Sequence, residues 1–288
     1  MRQLKESAKV KANNGIGEKL ILEECNKLIR EASIEKPPVD MCLLASFRGI
    51  SRIINGDIAI AGTLDPTGEN NFEVTLKKSD SEKRKRFTLA HEIVHTFLPS
   101  YQENPYKIMD EYVGKYEKKD NTEYLCDYGA SCLLMPDFMF KPEFDKLGFS
   151  VSSLLALSQT FQASLEATAI KMVMQKPNEF AMVVWELKNK PSEAWACEST
   201  TLPGFEDCKP HKKLRVKFGY GFEKLIYFPK DKSPEESSDL ILKSFSDNRR
   251  CSGTEEISFG KDKTVNCFVD SFPKNNKEII TLLRLIPR

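Results

Sequence analysis

The feature that most constrains this chain is the pentapeptide His91-Glu92-Ile93-Val94-His95. It lies in a stretch where Phe87, Ala90, Val94 and Phe97 recur at helical spacing, with Pro99 as the stop. On a helix the two histidines stand one turn apart on one face, so both imidazoles can meet one cation, at about 2.0–2.1 Å for zinc. The intervening Glu92 lies about 100° further round, beside the cation rather than on it. There a carboxylate can take a proton from an attacking water and later deliver one to a leaving amine. The motif uses two of only three histidines in the chain. An accidental i, i+4 pair on a surface helix is the alternative.

A hydrolytic zinc site needs three protein ligands and an open fourth position. The remaining histidine, His211, sits in a Cys-Lys-Pro-His-Lys-Lys segment that reads as an exposed loop. A carboxylate is therefore the better third ligand. A second helix is expected from Thr122, as N-cap, to Met135, ended by Pro136. Glu123 and Asp127 stand at i, i+4 on it and project from one face. Glu123 can then bind the metal while Asp127 accepts the N–H of a ligating imidazole. Taken alone, such a carboxylate pair is a solvated helix face.

These two blocks resemble a known family. Arg86-Phe87-Thr88-Leu89-Ala90-His91-Glu92-Ile93-Val94-His95 is similar to the signature of the ImmA/IrrE metallopeptidases. The stretch from Glu123-Tyr124-Leu125-Cys126-Asp127 to Leu133-Leu134-Met135-Pro136 is similar to that family's second signature. The resemblance covers residues 37–175, with Pro38-Val39-Asp40 also fitting. It implies a zincin-like, gluzincin-type peptidase: His91, His95 and Glu123 as metal ligands, Glu92 as general base. The cofactor implied is zinc (Zn2+), with Mn2+ or another divalent ion able to use the same ligands. The implied substrate is a helix-turn-helix transcriptional repressor, cleaved to switch on a stress response or a mobile element. Val94 departs from the family, which usually has Gly there. Tyr128 and the tyrosines of the 99–121 connection are candidate transition-state stabilisers.

The strand Phe72-Glu73-Val74-Thr75-Leu76 precedes the motif helix. One reading makes it an edge strand that pairs with an extended substrate backbone; the other makes it an inner strand. The basic run Lys77 to Arg86 reads as a helix start after an Asp or Ser cap, against a nucleic-acid patch. Residues 151–160 and 164–175 form a helix-turn-helix-like pair. Its second helix offers only Lys171 and Lys176 to phosphates and carries Glu166, so packing is favoured over direct DNA binding.

The expected fold is α+β, in four parts: an N-terminal helical segment (1–36), a zincin-like peptidase domain (37–148), a helix-turn-helix-like segment (149–177) and a C-terminal α+β domain (178–288). The last, read as a GAF-like sensor or a substrate-binding domain, holds expected strands at 180–187, 214–218, 224–228, 257–259, 265–269 and 278–286. A net charge of +1 gives no global field for nucleic acid or anionic lipid. No run of 18 apolar residues and no signal peptide is found, so a cytoplasmic protein with no membrane partner is expected. The eight cysteines form no C-x-x-C pair and read as free thiols. The competing function is a non-catalytic metal-binding regulator whose C-terminal domain binds a ligand or protein partner.

Overall fold

The computed structural model describes residues 2–98, 118–191, 212–222, 228–234, 238–260 and 263–286. It divides into two compact units, Met1–Glu143 with Leu157–Ser164, and Phe144–Ala156 with Leu165–Arg288.

In the first unit, α1 (Arg2–Glu31) buries Ile21, Cys25, Leu28 and Ile29, the apolar spacing visible in the sequence. The short α2 (Met41–Phe47) starts at Asp40, whose Oδ1 accepts from Cys42 N–H at 2.9 Å and Leu43 N–H at 3.0 Å. Strands β1 (Ile50–Gly56), β2 (Gly62–Gly68) and β3 (Asn71–Lys77) form a sheet in the order β1-β3-β2. β3 pairs parallel with β1 and antiparallel with β2. This corrects the edge-strand reading of Phe72, Glu73, Val74, Thr75 and Leu76: that strand is central, and both its edges are already hydrogen-bonded. Among the described residues the edges of this sheet are β1 and β2, and part of β2 reads as a Pro66-Thr67-Gly68 turn in the sequence.

α3 (Glu82–His95) carries the pentapeptide. Ser81 caps its start, accepting from Arg84 N–H at 3.3 Å. Beyond its end, Arg48 donates to Thr96 Oγ1 at 2.9 Å and to Thr96 O at 2.6 Å. The basic run before and inside α3 spends its charges on structure. Lys77 Nζ donates to Ala59 O, Lys83 Nζ to Ser158 Oγ, Lys85 pairs with Glu82, and Arg86 donates to Val39 O. α4 (Lys118–Leu134) begins four residues before Thr122, which therefore lies inside the helix and is not its N-cap. α5 (Asp137–Leu147), not expected from the sequence, contains Pro142, a residue that weakens a helical pattern.

α6 (Val151–Thr160) and α7 (Leu165–Met174) occupy the expected helix pair. α7 packs on strands β4 (Phe180–Lys188) and β5 (Lys213–Gly221) of the second unit. The chain passes between the units after Glu143, after Ala156 and after Ser164, the last two inside the 149–177 segment. The remaining elements are α8 (Asp239–Ser246), β6 (Cys251–Gly260), β7 (Lys263–Asn275) and β8 (Glu278–Leu285). Together the strands of this unit form an antiparallel sheet in the order β5-β4-β8-β7-β6. Its core is built by Val183, Trp185, Val216, Ile241, Val269 and Leu283. The expected strand at 224–228 lies outside the described residues apart from Phe228.

On α7, Lys171 is buried, Glu166 pairs with Lys274, and beyond the helix Lys176 pairs with Glu179 at 3.2 Å. Among the described residues no helix is long and apolar enough to cross a membrane, and the six described cysteines are free.

Candidate metal centre

The packing of α3 against α4 brings the two sequence blocks together. Three groups converge between the helices. His91 Nε2 lies 3.1 Å from His95 Nε2 and 3.3 Å from a Glu123 carboxylate oxygen, and His95 Nε2 lies 3.9 Å from the other Glu123 oxygen. Ligands at about 2.0–2.1 Å from a tetrahedral zinc stand about 3.3 Å apart. Donor set and spacing both fit such an ion. Glu123 is the most open of the three, its side chain 52% exposed against 15% for His91 and 13% for His95.

The imidazoles are held from behind. His91 Nδ1 meets Asp127 Oδ1 at 2.9 Å, the partnership read from the i, i+4 spacing. His95 Nδ1 meets Cys126 Sγ at 3.5 Å, a contact that spacing alone did not reveal. Burial disfavours a charge on His91, but the Asp127 hydrogen bond and the nearby carboxylates outweigh it and raise its pKa. For His95, burial and the neighbouring His91 win over the carboxylates and bring the pKa down to about 4. A neutral His95 is the form that can ligate a metal. Burial also pushes the Cys126 thiol up, so it stays protonated.

Glu92 is 7% exposed. Burial raises its pKa to about 7, with Glu123 and Asp65 adding to the shift and His91 opposing it. A carboxylate near neutrality can both accept and release a proton. Its neighbour on the sheet is Gly62 of β2, where a Cβ would sit 2.4 Å from Thr88 Cγ2 and 3.2 Å from Glu92 Oε1. The missing side chain therefore lets the edge strand lie against the glutamate.

The direction of the edge is fixed by one bond. Lys77 N–H donates to Ala61 O at 2.9 Å, with Gly62 opposite Leu76. In an antiparallel ladder this turns the backbone groups of residues 61, 63 and 65 toward β3, and those of Gly62, Leu64 and Pro66 outward. Pro66 has no N–H to offer, which limits how far another strand can pair along this edge.

Tyr128 is placed elsewhere. Burial raises its pKa, and its hydroxyl is hydrogen-bonded with Cys132, with Glu18 and Asp137 as charged neighbours. The tyrosines of the 99–121 connection and His211 lie outside the described residues.

Behind the centre, Val94 is fully buried. A Cβ on Gly129 would come within 2.7 Å of Val94 Cγ2 and 2.8 Å of Ile21 Cγ2. The valine that departs from the family pattern is thus accommodated by a glycine on the facing helix. Gly129→Ala is expected to destabilise the protein by about 1–3 kcal/mol through overpacking. Adding Val94→Ala should recover part of that loss, giving a coupling of about 0.5–3 kcal/mol in a double-mutant cycle of denaturant melts. Additive effects would show that the two side chains do not interlock.

Residues 61–173 match the IrrE N-terminal-like domain family. The radiation response metalloprotease IrrE of Deinococcus radiodurans is 27% identical over 145 residues, covering 50% of this chain and 43% of that protein. In fold, the chain is similar to a Mycobacterium tuberculosis transcriptional regulator, with a TM-score of 0.56 at 11% identity, covering 92% of this chain and 88% of that one.

Proposed function

We propose, on the premise that residues 61–173 place this chain in the ImmA/IrrE family of metallopeptidases, that it is a zinc-dependent endopeptidase. The observation that carries this reading is the convergence of His91 Nε2, His95 Nε2 and the Glu123 carboxylate beside the buried Glu92. His91, His95 and Glu123 would hold the ion, and Asp127 orients His91. When bound, zinc supplies a Lewis acid that polarises the scissile carbonyl and makes water acidic enough to attack at neutral pH.

The chain's own residues do the rest. Glu92 takes a proton from the attacking water and hands it to the departing amine; a pKa of about 7 suits both halves of that task. An extended substrate would align its backbone along β2 at Gly62, next to Glu92. The substrate proposed is a regulatory protein of the cytosol, a helix-turn-helix transcriptional repressor. The α+β unit around β4 to β8 would sense the activating signal, as a GAF-like domain does, or hold the substrate. A stress setting is in keeping with the name of the Deinococcus relative.

The test is co-expression of the full chain with helix-turn-helix regulators, followed by purified reactions. Discrete cleavage fragments are expected, lost on treatment with a strong chelator and restored by zinc or manganese. A zinc-loaded protein that binds a regulator and never cuts it would leave a non-catalytic metal-binding regulator in place of the peptidase.

A further inference from the structure

Glu123, Cys126 and Asp127 stand at i, i+3 and i+4 on α4, so one face of one helical turn presents all three to α3. Two have been given roles above. Cys126 is fully buried, and its Sγ lies 3.5 Å from His95 Nδ1, on the opposite side of that ring from the Nε2 that faces His91 and Glu123. Sγ is therefore poorly placed to be a ligand alongside the two Nε2 atoms, although it belongs with His91 and His95 to one cluster of metal-binding residue types.

We infer that Cys126 is the positioning residue of His95, setting the ring's orientation and tautomer so that Nε2 is free for the metal, an inference that rests on the zinc reading of the centre. The two imidazoles are then held by different chemistry. Asp127 only accepts, which commits His91 to carrying its proton on Nδ1. A thiol both donates and accepts, though weakly. Cys126 can thus partner either tautomer of His95. Without metal, His95 Nε2–H can donate to His91 Nε2 across 3.1 Å while its Nδ1 accepts from the thiol. With Nε2 given to a metal, the proton sits on Nδ1 and is donated to Sγ. One side chain at this position keeps the buried ring nitrogen satisfied in both states, where a carboxylate would favour one state and an alanine neither.

The experiment measures zinc affinity of the full chain by competition with a chromophoric chelator, for the wild type, Cys126→Ala, Cys126→Ser and His95→Ala. Cys126→Ala is expected to bind zinc about 10–100-fold more weakly, the usual effect of removing a partner behind a ligating histidine. Cys126→Ser, which keeps a donor and acceptor, should lie within a few-fold of wild type. Cobalt-loaded wild type should lack the intense sulfur-to-metal absorption of a thiolate ligand. In the zinc-loaded wild type, long-range proton–nitrogen correlation spectra should show His95 protonated at Nδ1 and metal-bound at Nε2.

Equal affinity of wild type and Cys126→Ala would overturn the inference. So would a serine variant as weak as alanine, a thiolate band with cobalt, or a His95 ring unprotonated at Nδ1. The spectra need no variant, so a misfolded Cys126→Ala leaves the test intact. Failure of the wild type itself to bind zinc, or undiminished binding by His95→Ala, would instead sink the zinc reading.

Discussion

Replacing Glu92 by glutamine is expected to lower peptide hydrolysis by about 10²–10⁴-fold, the typical contribution of general acid–base catalysis, while zinc content and folding are retained. The substitution keeps the shape of a side chain that is only 7% exposed, and it removes a group that is not among the three converging ligand atoms. What it deletes is proton transfer, because an amide cannot serve as the base. The pair of readouts matters. On the proposed assignment, metal analysis reports on His91, His95 and Glu123, and turnover reports on Glu92. Hydrolysis within ten-fold of wild type would remove Glu92 from the mechanism, whereas parallel loss of zinc and activity would mean that Glu92 supports the ligands.

The second large effect concerns stability. Asp270 on β7 is 2% exposed and receives Arg250 Nε and Nη2, both at 2.7 Å. It also accepts Val151 N–H, at the start of α6, at 2.8 Å. One carboxylate therefore anchors a helix start and a guanidinium on the C-terminal sheet. Asp270→Ala is expected to destabilise the protein by about 3–5 kcal/mol, toward the lower figure because Arg250 can turn to solvent while the buried Val151 amide cannot. Denaturant unfolding followed by far-UV circular dichroism would measure it. Arg250→Ala should cost less than Asp270→Ala; the reverse order would show that the helix-anchoring bond contributes little.

Most of the candidate centre was legible in the chain itself because helical spacing is local. His91 and His95 share a face for the same geometric reason that Glu123 and Asp127 do, and 3.6 residues per turn needs no tertiary information. Short apolar runs likewise marked strands of the C-terminal unit such as Phe180–Lys188 and Glu278–Leu285, while the packing of α7 on β4 and β5 depended on tertiary contacts.

The errors share one cause. β2 contains Gly62, Pro66 and Gly68, residues depleted from strands, so its propensity argued for a turn; pairing with β3 makes it a strand. Once β2 is in place, β3 loses its free edge, so Phe72 to Leu76 cannot pair with another strand.

The pentapeptide at 91–95 specified two imidazoles and a carboxylate on one helical surface from sequence alone. Only packing decided that α4 approaches closely enough, over Gly129, for Glu123 to close the site and for Asp127 and Cys126 to hold the rings. Those contacts join residues 28 to 36 positions apart, from His95–Glu123 to His91–Asp127, a separation at which chain spacing carries no geometric information and side-chain volume between two helices determines what meets.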